Sequence, residues 1–256
     1  MTVNNIARNN MSEAMMRVNS GQRINNAADD AAGAAIVEDM TAQLRGLDQG
    51  ERNTRDMQAM MNVAEGGLDG VSDSLNRIRE LSVQALNGTN TDAQREMIQG
   101  EIAQLAEGIQ AAVRGTEFNG QNVLDGVENA NTAAGPQGTG PVVNINDMSS
   151  IAQAMTAIAE DGSFDLNAID NAINQVSAER ANIGAMYNRM EYTAQANSVS
   201  GLNLADARSR IADADIAQEM MAVEQERVID EMQVLLQQQE QEDEQTRVNS
   251  VLQSGV

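Results

Sequence analysis

Ser20-Gly-Gln-Arg-Ile-Asn-Asn-Ala-Ala-Asp-Asp-Ala-Ala-Gly33 decides how this chain is read, because its counterpart lies near the far end. That counterpart is the run from Ile169 to Asn188, leading on to Asp213-Ala-Asp-Ile-Ala-Gln-Glu-Met-Met221. Working inward from the first stretch, apolar residues recur at spacings of three and four. From Met57 they are Met60, Ala64, Leu68, Val71, Leu75, Ile78, Leu81 and Ala85, one face of a long helix. Asn87-Gly-Thr-Asn-Thr-Asp92 then supplies a turn and a helix start, with Asp92 as the N-cap. Ile98, Ile102, Leu105, Ile109 and Ala112 alternate steps of four and three, the spacing of a coiled-coil seam. Two helices joined by a short turn form an antiparallel helical hairpin.

Glu117-Phe-Asn-Gly-Gln-Asn-Val-Leu124 sets Gly and Asn among a few apolar residues and reads as a small β-turn or hairpin packed on the helices. The character changes between residues 125 and 165. Asn129 to Pro141 is rich in Ala, Gly, Asn and Thr and holds both prolines, so it reads as a loop. Val142-Val-Asn-Ile-Asn146 reads as one short strand, and Ser149 to Ala159 as a short helix with Ile151, Met155 and Ile158 on one face. This insert is too small for an independent domain of ordinary size. Helical periodicity resumes at Leu166, with Ile169, Ile173, Val176, Ile183, Tyr187, Met190 and Ala194 on one stripe. A break is expected at Val199-Ser-Gly201, and a last helix from about Asn203 to beyond Leu235. Met221, Val228 and Leu235 are seven apart with Met232 between, a heptad-like seam. Gln237 to Thr246 is polar and acidic without an apolar stripe, the pattern of a solvated helix face or a frayed tail.

Composition favours the same architecture. Of the 256 residues 41% are hydrophobic but only 2% aromatic, so long helices meeting along narrow seams suit the chain better than a round core. Two prolines leave little to interrupt such helices. The 38 acidic and 16 basic residues give a formal charge of −22, which argues against nucleic acid and anionic membrane surfaces as partners. No apolar run is long enough to span a bilayer. Met1-Thr-Val-Asn-Asn-Ile6 lacks the basic and apolar regions of a cleavable secretory signal.

The chain has no His, no Cys and no Lys, so all of its positive charge is Arg. That removes imidazole bases, thiolate nucleophiles, Schiff-base lysines, the usual zinc ligands and the Lys-ending phosphate loop. Paired carboxylates survive the filter, but accidental pairs among 38 acidic residues carry no information. No enzyme and no cofactor is expected. Periodicity alone describes only the amphipathic helices of some coiled-coil bundle.

The motifs add a resemblance. Val18 to Gly33 is similar to the segment of bacterial flagellin that links the inner terminal helices to the first outer domain. Leu75-Asn-Arg-Ile-Arg-Glu-Leu-Ser-Val-Gln-Ala85, with the turn after it, resembles that family's signature helix, and Thr116-Glu-Phe-Asn-Gly120 its post-helix turn. Ile169-Asp-Asn-Ala-Ile173, Gly184-Ala-Met-Tyr-Asn-Arg-Met-Glu-Tyr192 and Ser209-Arg-Ile-Ala-Asp-Ala-Asp215 follow in family order. The resemblance covers about Val18 to Leu124 and Leu166 to Met221.

The resemblance implies a mainly α fold, a long helical hairpin or coiled-coil bundle of N- and C-terminal halves with a small β element in the middle. It divides the chain into an inner helix and linker (1–33), an N-terminal outer-tube half (34–124), a short variable insert (125–165), a C-terminal outer-tube half (166–200), and a C-terminal inner helix and tail (201–256). It implies a structural subunit that self-assembles into the flagellar filament for motility. The alternative is a hook–filament junction protein. The implied linker residues are Gly21, Arg23, Ile24, Asn25, Asp29, Asp30 and Gly33. Arg77, Leu81, Gln84 and Glu101 match the face read by host Toll-like receptors; read from the residues alone, Leu81 is core and the other three are solvated. The implied partners are further copies of the chain, an export chaperone, cap and junction proteins, and such receptors. The implied destination is the extracellular flagellum, reached without a cleaved signal. Two departures fall on the inner layer. About a dozen fewer residues precede Gly21 than in a typical member, and the acidic run Glu240 to Glu244 stands where small apolar residues are usual. The ending Val251-Leu-Gln-Ser-Gly-Val256 resembles the Leu-rich family ending only loosely.

Overall fold

The computed structural model describes the backbone of residues 2–254 and the side chains of residues 9–250. Met1 and the side chains of residues 2–8 and 251–256, with the expectations that fall on them, lie outside the described residues. In chain order the elements are α1 (Thr2–Ser20), α2 (Ala31–Ala85), α3 (Asp92–Gly115), β1 (Glu117–Phe118), β2 (Gln121–Asn122), β3 (Asp125–Asn131), β4 (Val142–Asp147), α4 (Ser149–Asp161), α5 (Leu166–Ala212) and α6 (Ile216–Ser254). The fold is mainly α, with two small antiparallel strand pairs, β1–β2 and β3–β4, in the middle of the chain.

The chain divides into two compact units, each built from both halves of the sequence. One comprises residues 43–202 and holds the main core. The periodic face of α2 is buried from Met61 through Ala64, Leu68, Val71, Leu75, Ile78, Leu81 and Ala85. It shares a continuous apolar cluster with α3, α4, α5 and the strands, including Leu124, Ile145, Met155, Ile169 and Met190. Each fully buried side chain of this size contributes about 1.5–3 kcal/mol. In α3 the buried line is Ile98, Ile102, Ala106, Ile109 and Val113. It departs from the expected seam by one residue at two positions, because α3 also packs against α4 and its apolar face is wider than a coiled-coil stripe. Thr91, not Asp92, caps α3: it accepts the Gln94 N–H through its hydroxyl, and Gln94 returns the bond to the Thr91 N–H.

The insert is more ordered than a loop. β3 pairs with β4 in the register Val127↔Ile145 and Ala130↔Val143, with a bulge between. The bulge breaks period-two alternation and hides the strand from pattern reading. The loop that remains, residues 132–141, is tied at its neck, where the Thr132 hydroxyl donates to the Pro141 carbonyl at 2.8 Å. Asn53 of α2 donates to the Ala133 carbonyl at 3.1 Å, and Asn197 of α5 to the Ala134 carbonyl at 2.8 Å. Gly46 and Gly50 let this backbone lie directly on α2; a Cβ at Gly50 would stand 1.8 Å from the Ala134 carbonyl oxygen.

The second unit comprises residues 1–42 and 203–256, in which α1 packs against α6. Here the helix boundaries differ from expectation. Helix α5 runs unbroken through Val199-Ser-Gly201, since an isolated Gly costs a helix only about 1 kcal/mol. The break falls at Asp213–Asp215, where the backbone pairs with the linker.

Candidate functional site

The linker and this break form a clasp between residues far apart in sequence. Gln22 and Asp213 make an isolated antiparallel bridge. The Arg23 N–H donates to the Ala212 carbonyl at 2.7 Å, and the Ala214 N–H to the Gly21 carbonyl at 3.0 Å. The Arg23 guanidinium adds a bond to the Ile211 carbonyl at 2.8 Å. These bonds satisfy backbone groups that a continuous helix would pair internally, so the clasp decides where α5 ends. Gly21 sits at φ 69°, a left-handed turn that any β-carbon would strain.

Past the bridge the chain folds on its own carboxylates. Asp29 Oδ2 accepts the N–H groups of Asn25 and Asn26, each at 2.9 Å. These bonds, the one from Asn26 first, hold its carboxyl below the usual aspartate range. The Asn25 side chain donates to the Gln22 carbonyl at 3.0 Å. Asp30 accepts the Gly33 N–H at 2.8 Å, the N-cap geometry for α2. Gly33 is buried, and no side chain fits there: a Cβ would meet Asp30 Oδ2 at 2.4 Å and Ile24 Cδ1 at 2.8 Å. Gly21, Arg23, Ile24, Asn25, Asp29, Asp30 and Gly33 thus follow one another from the end of α1 into the first turn of α2. The far side of the clasp lies in the Asp213–Met221 stretch, whose individual residues the sequence left without roles: Asp215 Oδ1 accepts from Ala217 and Gln218 at 3.0 and 3.2 Å and caps α6, and Arg17 pairs with Glu219 at 3.6 Å. The Asp-x-Asp spacing before Ile216 was the available signal.

Helix α6 presents an unexpected face. Its half-buried positions are Glu219, Ala222, Val223, Glu226, Asp230 and Gln233, whereas Met221, Val228, Met232 and Leu235 are 55–63% exposed. Met220 and Leu236 on α6, and Met15 and Met16 on α1, are exposed as well. The heptad seam exists, but it lies off the face that α6 packs against α1. The run Glu240 to Glu244 continues the helix and is exposed throughout.

On the other unit, Arg77 donates to Glu101 Oε1 through Nε at 3.1 Å and Nη2 at 2.8 Å, and reaches Glu80 at 3.2 Å. Glu101 is the foremost reason the guanidinium holds its proton more firmly than usual. Arg77, Gln84 and Glu101 are exposed, whereas Leu81 is 2% exposed and belongs to the core. Another residue absent from the reading is Glu179, buried on the α5 stripe where an apolar side chain is the norm. It accepts the N–H of Asn146 at 3.2 Å and is also bonded by the Asn146 side chain, fixing β4 on α5. Among the described residues no cluster of acidic side chains is arranged to hold a metal ion, and no helix is long and apolar enough to cross a membrane.

Comparison with known proteins agrees with this arrangement. Residues 1–129 match the bacterial flagellin N-terminal helical region and residues 166–251 the C-terminal helical region. A flagellin of Halalkalibacterium halodurans is 40% identical over 220 residues, covering 82% of this chain and 80% of that protein. A flagellin of Bacillus subtilis is 38% identical over 263 residues, covering 86% of each. A structure assigned to a flagellar hook-associated protein of Vibrio parahaemolyticus superposes with a TM-score of 0.56 at 18% identity, covering 72% of this chain and all of that one, and shows the shared fold alone. With both terminal helical regions matched in order and relatives of this similarity spanning most of its length, the chain belongs to the bacterial flagellins.

Proposed function

We infer that this chain is the structural subunit of a bacterial flagellar filament, polymerising with further copies of itself outside the cell to serve motility. The observation that carries the reading is the outward seam of α6. Four large apolar side chains at heptad spacing stand uncovered in the single chain, a surface that a soluble monomer would expose only at a cost. Copies stacked head to tail without closing into a ring bury such a seam in a helical filament. The flagellin and filament core protein relatives support the filament over the hook–filament junction role. Seeded polymerisation of purified chain, imaged by negative-stain electron microscopy, tests it. Long filaments are expected; short closed rings would assign the chain to the junction instead.

Three finer expectations belong to the same reading. In the filament, residues 132–141 lie at the outer surface and both termini at the inner radius. Export proceeds through the flagellar secretion apparatus without cleavage, with a chaperone covering α6 beforehand and cap and junction proteins receiving the subunit. The intact mass of subunits sheared from filaments tests the first half of that statement, since a shortened N-terminus would contradict it. Finally, Arg77, Gln84 and Glu101 present a polar face to host flagellin-sensing receptors, supported from beneath by Leu81. Arg77→Ala and Glu101→Ala are expected to lower receptor signalling by monomer while leaving helicity unchanged. Undiminished signalling by the folded double variant would remove the receptor reading. Leu81→Ala is expected to cost about 2–5 kcal/mol of stability as a buried truncation, so its loss of signalling is not diagnostic by itself.

A further inference from the structure

The turn between α2 and α3 contains an arrangement with chemistry of its own. Asn87-Gly88-Thr89-Asn90 is a β-turn closed by the Asn90 N–H donating to the Asn87 carbonyl at 3.1 Å. All of Asn87, Gly88 and Thr89 are exposed, and a Cβ placed on Gly88 would meet nothing within 4 Å beyond the adjoining residues. The Asn87 side-chain oxygen accepts two bonds from one residue, the Thr89 N–H at 3.2 Å and the Thr89 hydroxyl at 3.1 Å.

We propose that Asn87 is a site of spontaneous deamidation and isomerisation, promoted by the two Thr89 donors on its side-chain oxygen. The Gly88 nitrogen, giving up its proton to hydroxide, attacks Asn87 Cγ and forms a ring N–Cγ bond. Negative charge develops on Oδ1, where both Thr89 donors already point, the arrangement that stabilises oxyanions in acyl transfer. Collapse of this adduct breaks the Cγ–Nδ2 bond, and Nδ2 takes a proton from water and leaves as ammonia. Water then opens the resulting succinimide at either carbonyl, giving aspartate or isoaspartate. No oxidant, metal or cofactor is needed. Glycine is the favoured following residue because it has no Cβ to obstruct the attack.

The molecule contains its own control. Asn119-Gly120 is the same dipeptide, equally exposed, but it forms the two-residue loop of the β1–β2 hairpin with φ of 53° and 75°. Fixed in that left-handed turn, Asn119 Oδ1 accepts no hydrogen bond among the described residues that matches those from Thr89. The product at position 87 matters structurally. A carboxylate appears two residues past the C-terminal end of α2, where the helix dipole disfavours negative charge. Isoaspartate further reroutes the backbone through the side chain, between Gln84 and the Thr91 cap.

The test is incubation of the folded chain at mildly alkaline pH, with peptide mapping that resolves asparagine, aspartate and isoaspartate at both sites. Asn87 is expected to convert several-fold faster than Asn119. Thr89→Val, which keeps the backbone donor and the branched shape but removes the hydroxyl, is expected to slow Asn87 and leave Asn119 unchanged. Gly88→Ala is expected to slow Asn87 further. The unchanged Asn119 rate reports that each variant has retained the fold. Conversion of Asn87 no faster than Asn119, or an Asn87 rate indifferent to Thr89→Val, would overturn the proposal.

Discussion

A methyl group added at position 50 meets the Ala134 carbonyl oxygen at 1.8 Å, whereas one added at position 66 of the same helix meets nothing within 4 Å. Gly→Ala in an open helix interior gains about 0.5–1 kcal/mol, while forcing an atom into a filled space costs about 1–3 kcal/mol. Gly66→Ala is therefore expected to raise the denaturant midpoint and Gly50→Ala to lower it. Shifts of the same sign would mean that the loop of residues 132–141 does not rest on α2. At the linker, Asp30→Ala removes the α2 N-cap and is expected to cost about 1 kcal/mol. Asp29 adds a pH dependence of definite sign. Its carboxyl is depressed when folded, so its contribution is complete above the unfolded value of about 3.9 and fades as pH falls through the lower folded value. The Asn25 and Asn26 amide signals are expected to move together below about pH 4. Asp29→Asn is expected to abolish that titration, and its persistence would assign the effect to another group. The motif residues in this turn were legible as a set from the sequence, but the bonds that join them to residues 211–214 were not, because pairing across the chain leaves no local signature.

At the scale of elements, periodicity located the second half of α2, α3, α5 and much of α6, while α1 followed only from the resemblance, and it could not say which way each seam faces. In α2 the expected stripe and the buried one coincide from Ala64 to Ala85, because one apolar face meets one core. In α3 the line slips by a residue at Ala106 and Val113, because a second neighbour widens the face. In α6 the spacing was legible and its burial was not: Met221, Val228, Met232 and Leu235 keep heptad order yet face outward. Spacing records only that a stripe will be covered, and the covering element need not belong to the same chain. Val228→Glu with Leu235→Glu is accordingly expected to leave the circular dichroism of the monomer unchanged and to abolish seeded filament growth. A double variant that still polymerises would show that the filament does not bury this seam.

Across the whole molecule, the sequence misplaced the α5–α6 break because local propensity competes with tertiary pairing. Val199-Ser-Gly201 is a weak helix segment that nothing interrupts, whereas Asp213–Asp215 is interrupted by the bonds from Gly21 and Arg23. The formal charge of −22 acts at this scale as well. Stacked subunits bring like charges together, and exposed charges repel over about 10 Å at 0.1 M salt and about 3 Å at 1 M. Assembly is therefore expected to strengthen with moderate salt, and with mild acid as carboxylates near pKa 4 begin to protonate. The sharpest case is Glu240, Glu242, Asp243 and Glu244, all exposed on one stretch of α6 in the single chain. Where α6 helices of neighbouring copies pack side by side, this stretch faces its own charge. Replacing all four by Gln keeps the helix, and at the three Glu positions the side-chain shape, while removing that repulsion. The variant filament is expected to survive dilution into low salt at which the parent depolymerises, with the two converging in high salt, where screening already does the same work. Light scattering across a salt series reads the difference. Parallel curves for the two proteins would mean that the run projects into solvent and that the packed layer ends before residue 240.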